Sequence, residues 1–314
     1  MSAYAPMKAV LVGEAFDDPA WVFERKLDGV RCGVVRRGGS VALVSRSGQD
    51  LDGAYPEVAD ALRGGPDLVA DGEVVAFERG RTSFERLQRR MQIHDPGRAR
   101  RSGVAVYLYL FDLLELEGED LRPRPLLERK RALRAAVDFK GPVRFTPHRR
   151  GAGKAAFEHA CGHGWEGVIA KRADSPYSDR RSRDWLKIKC EMGQELVVGG
   201  WTEPQGSRTR FGALLVGYWD GDSLRYAGKV GTGFDAATLE RVGDELEARE
   251  RPTPPFTADD LPRRAHWAEP ELVAQIGFTE WTRDGKLRHP RFQGLRDDKP
   301  AREVVRERPR PLVP

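Results

Sequence analysis

Short apolar runs rich in valine, leucine and aromatic residues recur along the chain, separated by glycine, proline and charged residues. Trp21-Val22-Phe23, alternating with Glu24, predicts a strand over 21–26, and further strands are predicted over 30–35 and 41–45. Asp28-Gly29 predicts a tight turn, with glycine tolerating positive φ and aspartate bonding its own backbone. Pro56 opens a helix to Arg63. Residues 68–77 read as a strand interrupted by Asp71-Gly72-Glu73, where acidic residues break the local rule for strands. An amphipathic helix with an arginine-rich face is predicted over 83–93. The most apolar run, residues 104–116, predicts a central strand ending at Phe111-Asp112. A basic surface helix is predicted over 125–137 and another helix over 153–163. Two short strands, 166–171 and 185–189, carry charges where a core strand would not want them.

Beyond residue 190 the texture changes to short β segments at 196–201, 214–219, 224–230, 273–282 and 285–288, with one helix over 235–250. Asp220-Gly221-Asp222 predicts a hairpin turn. This pattern predicts a small barrel of the oligonucleotide-binding type. The chain therefore divides into residues 1–192 and 193–314, with a loosely held tail beyond Glu303.

Its 314 residues suffice for two domains, and 39% hydrophobic residues supply their cores. A net charge of +5 suits a polyanionic partner only where the charge is clustered. The three cysteines, Cys32, Cys161 and Cys190, form no CxxC pair, which argues against a disulfide framework or zinc site and fits a reducing cytoplasm. His159-x-Cys161-x-His163 lacks a fourth ligand and reads as packing at a helix end. No apolar stretch reaches the ~18 residues of a membrane span, and the N-terminus has no signal-peptide pattern.

The candidate chemistry centres on Lys26, between an apolar run and a turn. Partial burial, or a nearby cation such as Arg31, would lower its pKa and free the lone pair; a surface lysine in a hairpin is the alternative. Downstream, alternation puts Lys187 and Lys189 on one strand face, either in a cleft or solvated. Glu73 and Glu166 are hard oxygen ligands suited to Mg²⁺ or Mn²⁺, or else surface carboxylates. Phe111 offers a flat ring for a base, or for the core.

Lys26-x-Asp28-Gly29-x-Arg31 resembles the first motif of the covalent nucleotidyltransferases, the superfamily of DNA ligases, RNA ligases and mRNA capping enzymes. The later motifs follow in order. They are Ser45-Arg46-Ser47-Gly48, Asp71-Gly72-Glu73, Phe111-Asp112, EGVIAK (166–171), WLKIK (185–189) and Arg296-Asp297-Asp298-Lys299. FDLL, EGVIAK, WLKIK, YAGKVGTGF (226–234) and GLRDDKPAREV (294–304) are most similar to the ligase domain of bacterial non-homologous end-joining ligases, here as a stand-alone version.

The resemblance implies an α+β fold, with an ATP-grasp-like adenylation domain of antiparallel sheets followed by an OB-fold barrel. It implies an ATP-dependent DNA ligase in which Lys26 carries AMP. Glu24, Arg31, Arg46, Glu73, Phe111, Lys171, Lys187 and Lys189 would bind the nucleotide, and Arg296 and Lys299 would reach its pyrophosphate if the second domain swings over the first. Glu73 and Glu166 would hold Mg²⁺ or Mn²⁺. The implied partner is nicked duplex DNA with a 5′-phosphate and a 3′-hydroxyl, held through phosphates, with Ku as a further partner. The protein would be monomeric, cytoplasmic and nucleoid-associated. A GTP-dependent capping enzyme, an RNA ligase and an inactive nucleic-acid-binding module are the alternatives.

Overall fold

The protein is described by a computed structural model covering residues 4–204, 206, 208–258 and 260–312. The chain folds into two compact units, one of residues 1–190 with 308–314, the other of residues 191–307. The strands of the first unit are β1 (Lys8–Leu11), β2 (Asp18–Arg25), β3 (Val30–Arg37), β4 (Ser40–Ser45), β5 (Leu68–Glu78), β6 (Arg81–Thr82), β7 (Val106–Leu116), β8 (Glu119–Asp120), β9 (Val143–Phe145), β10 (His148–Gly151), β11 (Gly167–Arg172) and β12 (Arg181–Lys189). Its helices are α1 (Pro56–Ala61), α2 (Phe84–Met91), α3 (Pro96–Arg100), α4 (Leu126–Ala136) and α5 (Gly153–Gly162).

These strands form two sheets. One runs β1-β12-β11-β2-β10; the other runs β4-β3-β5-β7-β8, with β6 on β5 and β9 on β7. Behind the first sheet, Val10, Phe23, Val168, Ala170, Leu186 and Ile188 pack under α5 through Ala160. Behind the second, Val34, Ala70, Val74 and Leu108 pack with Tyr55, Val58, Phe84, Leu87 and Leu133 from the helical side. Between them lies a third cluster of Tyr4, Met7, Val69, Phe111, Leu114, Tyr177 and Trp185.

Strand β7 runs through Phe111-Asp112 instead of ending there, and β5 runs unbroken through Asp71-Gly72-Glu73. The rule-breaking residues are absorbed by bulges. Asp71 faces Asp112 while Gly72 faces Leu110, so Phe111 is the extra residue; Val69 faces Glu115 while Ala70 faces Leu113, so Leu114 is another. A bulge re-aims a side chain, and both extra residues point into the cluster between the sheets. Gly72 is required because a Cβ there would lie 2.7 Å from the Tyr109 carbonyl oxygen.

Four other expectations are corrected. Helix α4 is not a solvated basic surface, because Arg129 and Lys130 are buried. Arg129 lies against Asp112 with Nε–Oδ1 2.7 Å and Nη2–Oδ2 2.8 Å, both side chains fully enclosed. Cys161 and Cys190 are joined in a disulfide, since α5 and the end of β12 bring their Cα atoms to 5.3 Å across a separation of 29 residues. The tail is anchored: Arg310 N–H donates to the Leu11 carbonyl, Arg183 donates to the Pro311 carbonyl, and residues 308–314 belong to the first unit. Gly29 does not need positive φ; it needs space, because a Cβ there would meet the Val74 carbonyl oxygen at 2.2 Å.

The second unit contains β13 (Met192–Thr202), β14 (Leu214–Asp220), β15 (Ser223–Val230), α6 (Ala236–Glu247), β16 (Glu250–Arg251), β17 (Ala265–Ala268), β18 (Val273–Phe278), β19 (Glu280–Trp281), β20 (Leu287–Arg288) and β21 (Arg291–Leu295). Strand β13 is shared. Its first half pairs with β18 and its second with β17, with a register break against β14 between Val198 and Gly200. The sheet β15-β14-β13 with β18 and β21 curves as a half-barrel around Leu196, Val216, Val242, Ile276 and Phe292. Among the described residues no helix is long and apolar enough to cross a membrane.

Replacing Asp112 with alanine leaves Arg129 charged and unpaired in the interior. It is expected to lower stability by about 3–5 kcal/mol, read from the urea unfolding of the first unit. A loss below about 1 kcal/mol would show that the pair behaves as a solvated one.

Candidate active site

Strand register assembles the site. Glu24 lies opposite Ile169 and His148, and the Lys26 N–H donates to the Gly167 carbonyl at 2.9 Å. On the neighbouring strand Lys189 faces Gly167, Lys187 faces Ile169 and Trp185 faces Lys171. Side chains alternate along a strand, so Glu24, Lys26, Lys171, Trp185, Lys187 and Lys189 share one face of the sheet. Phe23, Val168, Leu186 and Ile188 occupy the other face, beneath α5.

Lys26 is the first residue after β2. Its Nζ lies 2.6 Å from Glu166 Oε2, with side chains 18% and 25% exposed. Glu73 comes from the facing sheet, where it pairs with Arg31 across β3 and accepts from the Gly29 N–H at 3.0 Å. Asp28 accepts from the Phe84 N–H at 3.4 Å. Burial alone would push the Lys26 amine down. The carboxylates of Glu166, Glu73 and Asp28 outweigh burial and hold it above its ordinary value. The expectation of an amine already activated at rest is therefore corrected: its charged neighbours are anions, because Arg31 is occupied elsewhere.

Arg31 donates to both oxygens of Asp71, Nε–Oδ1 2.6 Å and Nη2–Oδ2 2.5 Å, and to the Met7 carbonyl. Asp71 also accepts from the hydroxyls of Tyr4 and Tyr177, each at 2.6 Å. This saturated carboxylate fixes the arginine beside the Phe111 ring, 4.8 Å from its centroid.

Glu24 and Lys171 form the deepest part of the site, 3% and 2% exposed. Glu24 Oε2 meets Lys171 Nζ at 2.7 Å, and Glu24 Oε1 accepts from Lys130 Nζ at 2.6 Å. Burial pushes the Glu24 carboxyl up, but the two lysines outweigh it and hold it below its ordinary value. Burial draws Lys171 down to about 8, with Lys130 repelling and Glu24 opposing. The Lys171 ammonium sits 4.1 Å from the Phe111 centroid and 4.0 Å from that of Trp185. Phe111 is thus enclosed between the sheets and contacted by cations.

Lys187 and Lys189 are half-buried on the shared face, and Arg46 is half-buried in the turn after β4. Arg296 and Lys299 lie in the second unit. Arg296 grips Asp298 at 2.8 and 3.0 Å, and Lys299 donates to Glu195 at 3.1 Å. Lys130, Arg129 and Asp71 were missed as contributors. Lys130 and Arg129 stand in the run ERKR, which in sequence looks like any solvated helix face.

The donor chemistry suits a nucleoside triphosphate with a divalent cation. Glu73 and Glu166 approach the nucleophile from opposite sheets, and lysines line the same face. Among the described residues no three metal-ligating side chains cluster. A cation here would take these two carboxylates and complete its shell with phosphate and water, the habit of Mg²⁺. His159 and His163 instead pack against each other with rings tilted by 37°, 4.1 Å between centroids, and both contact Trp165.

Residues 6–189 match the family model of the ATP dependent DNA ligase domain, and residues 207–299 match that of the ATP dependent DNA ligase C terminal region. The chain is 41% identical over 300 residues to a multifunctional non-homologous end joining protein LigD of Pseudomonas aeruginosa, covering 92% of this chain and 35% of that protein. It is 36% identical to the Mycolicibacterium smegmatis protein of the same name, covering 97% of this chain and 40% of that one. The chain thus spans little more than a third of these relatives' length. Among solved structures, a mycobacterial DNA ligase D complexed with ATP and MES superposes with a TM-score of 0.69 at 34% identity, covering 96% of this chain and 98% of the other. The fold is accordingly the nucleotidyltransferase fold with a C-terminal OB-fold, and the chain belongs to the family of ATP-dependent DNA ligases.

Proposed function

We propose that this chain seals nicks in duplex DNA at the expense of ATP, in DNA repair by end joining, with Ku as a candidate protein partner. The observation that carries the proposal is Lys26 Nζ held 2.6 Å from Glu166 on a sheet face that also presents Lys187 and Lys189.

In the first step Lys26 loses a proton and its nitrogen attacks the α-phosphorus of ATP. A P–N bond forms and the bond to pyrophosphate breaks. Lys187 and Lys189 stand on the face where negative charge develops, and fixed cations there stabilise it without reorganisation. Bound at Glu73 and Glu166, Mg²⁺ or Mn²⁺ would supply positive charge to the polyphosphate. Glu166, Glu73 and Asp28 hold Lys26 protonated, so its proton must leave against their field before the nitrogen attacks. Arg31 and Glu24 act from behind, Arg31 fixed by Asp71 and Glu24 by Lys130. Phe111 and Trp185 set the apolar wall, and Arg46 adds positive charge toward the nucleotide phosphates. AMP then passes to the 5′-phosphate at the nick, and the 3′-hydroxyl attacks that phosphate and expels AMP.

Lys26→Ala is expected to lose AMP transfer from ATP while still sealing a nick that is already adenylated. AMP transfer retained by this variant would remove Lys26 from this role. Glu166→Gln removes the carboxylate that does most to raise the Lys26 pKa. The pH at which Lys26 becomes reactive toward an amine-acylating reagent should therefore fall relative to the parent protein, although ATP-dependent sealing drops. An unchanged inflection would mean that Glu166 does not control the amine.

A further inference from the structure

Lys130 lies in none of the motifs, yet its side chain is 1% exposed and its three ammonium donors are all used. It donates to Glu24 Oε1 at 2.6 Å, to the Phe111 carbonyl at 3.2 Å and to the Thr146 carbonyl at 3.2 Å. These acceptors belong to β2, to the bulge of β7 and to the link between β9 and β10. The contact on Glu24 lies two residues from the nucleophile. The other oxygen of that carboxylate holds Lys171.

We infer that Lys130 is a positioning residue for nucleotidyl transfer: by anchoring Glu24 it sets both the place and the charge of Lys171. The inference rests on the reading of this site as a nucleotidyltransferase.

The charges around Lys171 support it. On α4, Arg129 is matched by Asp112 of β7, and on β3 Arg31 is matched by Asp71 of β5. His148 on β10 is held below its ordinary value by burial and by Lys130, and so adds no fixed charge near neutral pH. That leaves one carboxylate, Glu24, between two buried ammonium groups. One positive charge is in excess, in an enclosed place where a phosphate can gain from it. The surplus falls on Lys171, which also has aromatic rings on two sides and ionises near 8. Lys130 has three acceptors. Without Lys130, Glu24 would serve Lys171 alone and the surplus would vanish.

The direction of the effect follows. Lys26 must lose a proton to react, and Lys171 must keep one to face phosphate. AMP transfer from ATP to the protein in Mg²⁺ should therefore rise with pH along a limb that levels off at about 8, where Lys171 deprotonates, and should fall only above the raised value of Lys26. In Lys130→Met the Lys171 ammonium keeps Glu24 to itself, and the end of this limb should move to higher pH. Glu24→Gln removes the anion, and the end of the limb should move to lower pH. In Lys130→Arg a cation is restored and the end of the limb should return toward the parent position. Opposite shifts in the first two variants support the inference. If Lys130→Met does not fold, as judged by circular dichroism, the downward shift in Glu24→Gln together with a parental limb in Lys130→Arg supports it. A limb that stays in place while rates merely fall overturns it and leaves Lys130 a packing residue. Absence of AMP transfer in the parent protein is a different result, which overturns the nucleotidyltransferase reading itself.

Discussion

The Glu24 carboxylate, shared between Lys130 and Lys171, is the interaction around which the site is arranged. Ionised groups buried between two sheets must be paired or they cost several kcal/mol each. The first unit meets this constraint with three such arrangements: Glu24 with its two lysines, Asp71 with Arg31 and two tyrosines, and Asp112 with Arg129. Each links elements distant in sequence. Together they fix the faces from which Lys26, Glu73 and Glu166 project. The half-buried Lys187 and Lys189 stand on the same face, nearer the surface.

The same pairing explains why Lys26 rests in its protonated form. An amine placed for attack next to two carboxylates is held charged by them, despite its burial. The groups that restrain it are also the hard oxygen donors that a divalent cation would take. Nucleophile and carboxylates thus form one electrostatic unit.

Much of this was legible in the sequence because the motifs are local. Lys26-x-Asp28-Gly29-x-Arg31 spans the connection from β2 into β3, EGVIAK and WLKIK each lie on one strand or at its end, and strand alternation correctly put Lys187 and Lys189 on one face. What escaped depends on contacts between distant residues. The bulges of β7 that turn Phe111 inward depend on register with β5. Lys130 and Arg129 look like solvent-facing charges until α4 is set against β7 and Glu24. Cys161 and Cys190 gave no spacing signal, because α5 and β12 bring them together. The expected loose tail is held by backbone and arginine contacts to β1 and β12. The sign of the Lys26 shift was also missed, since the sequence shows Arg31 nearby but not that Asp71 occupies it.

The most direct test is to incubate the protein with α-labelled ATP or GTP and Mg²⁺, then denature it, digest it and map the label. The account predicts acid-labile label from ATP on the peptide containing Lys26, with little from GTP. Label on another residue, label from GTP alone, or no label on protein shown free of bound AMP would contradict it.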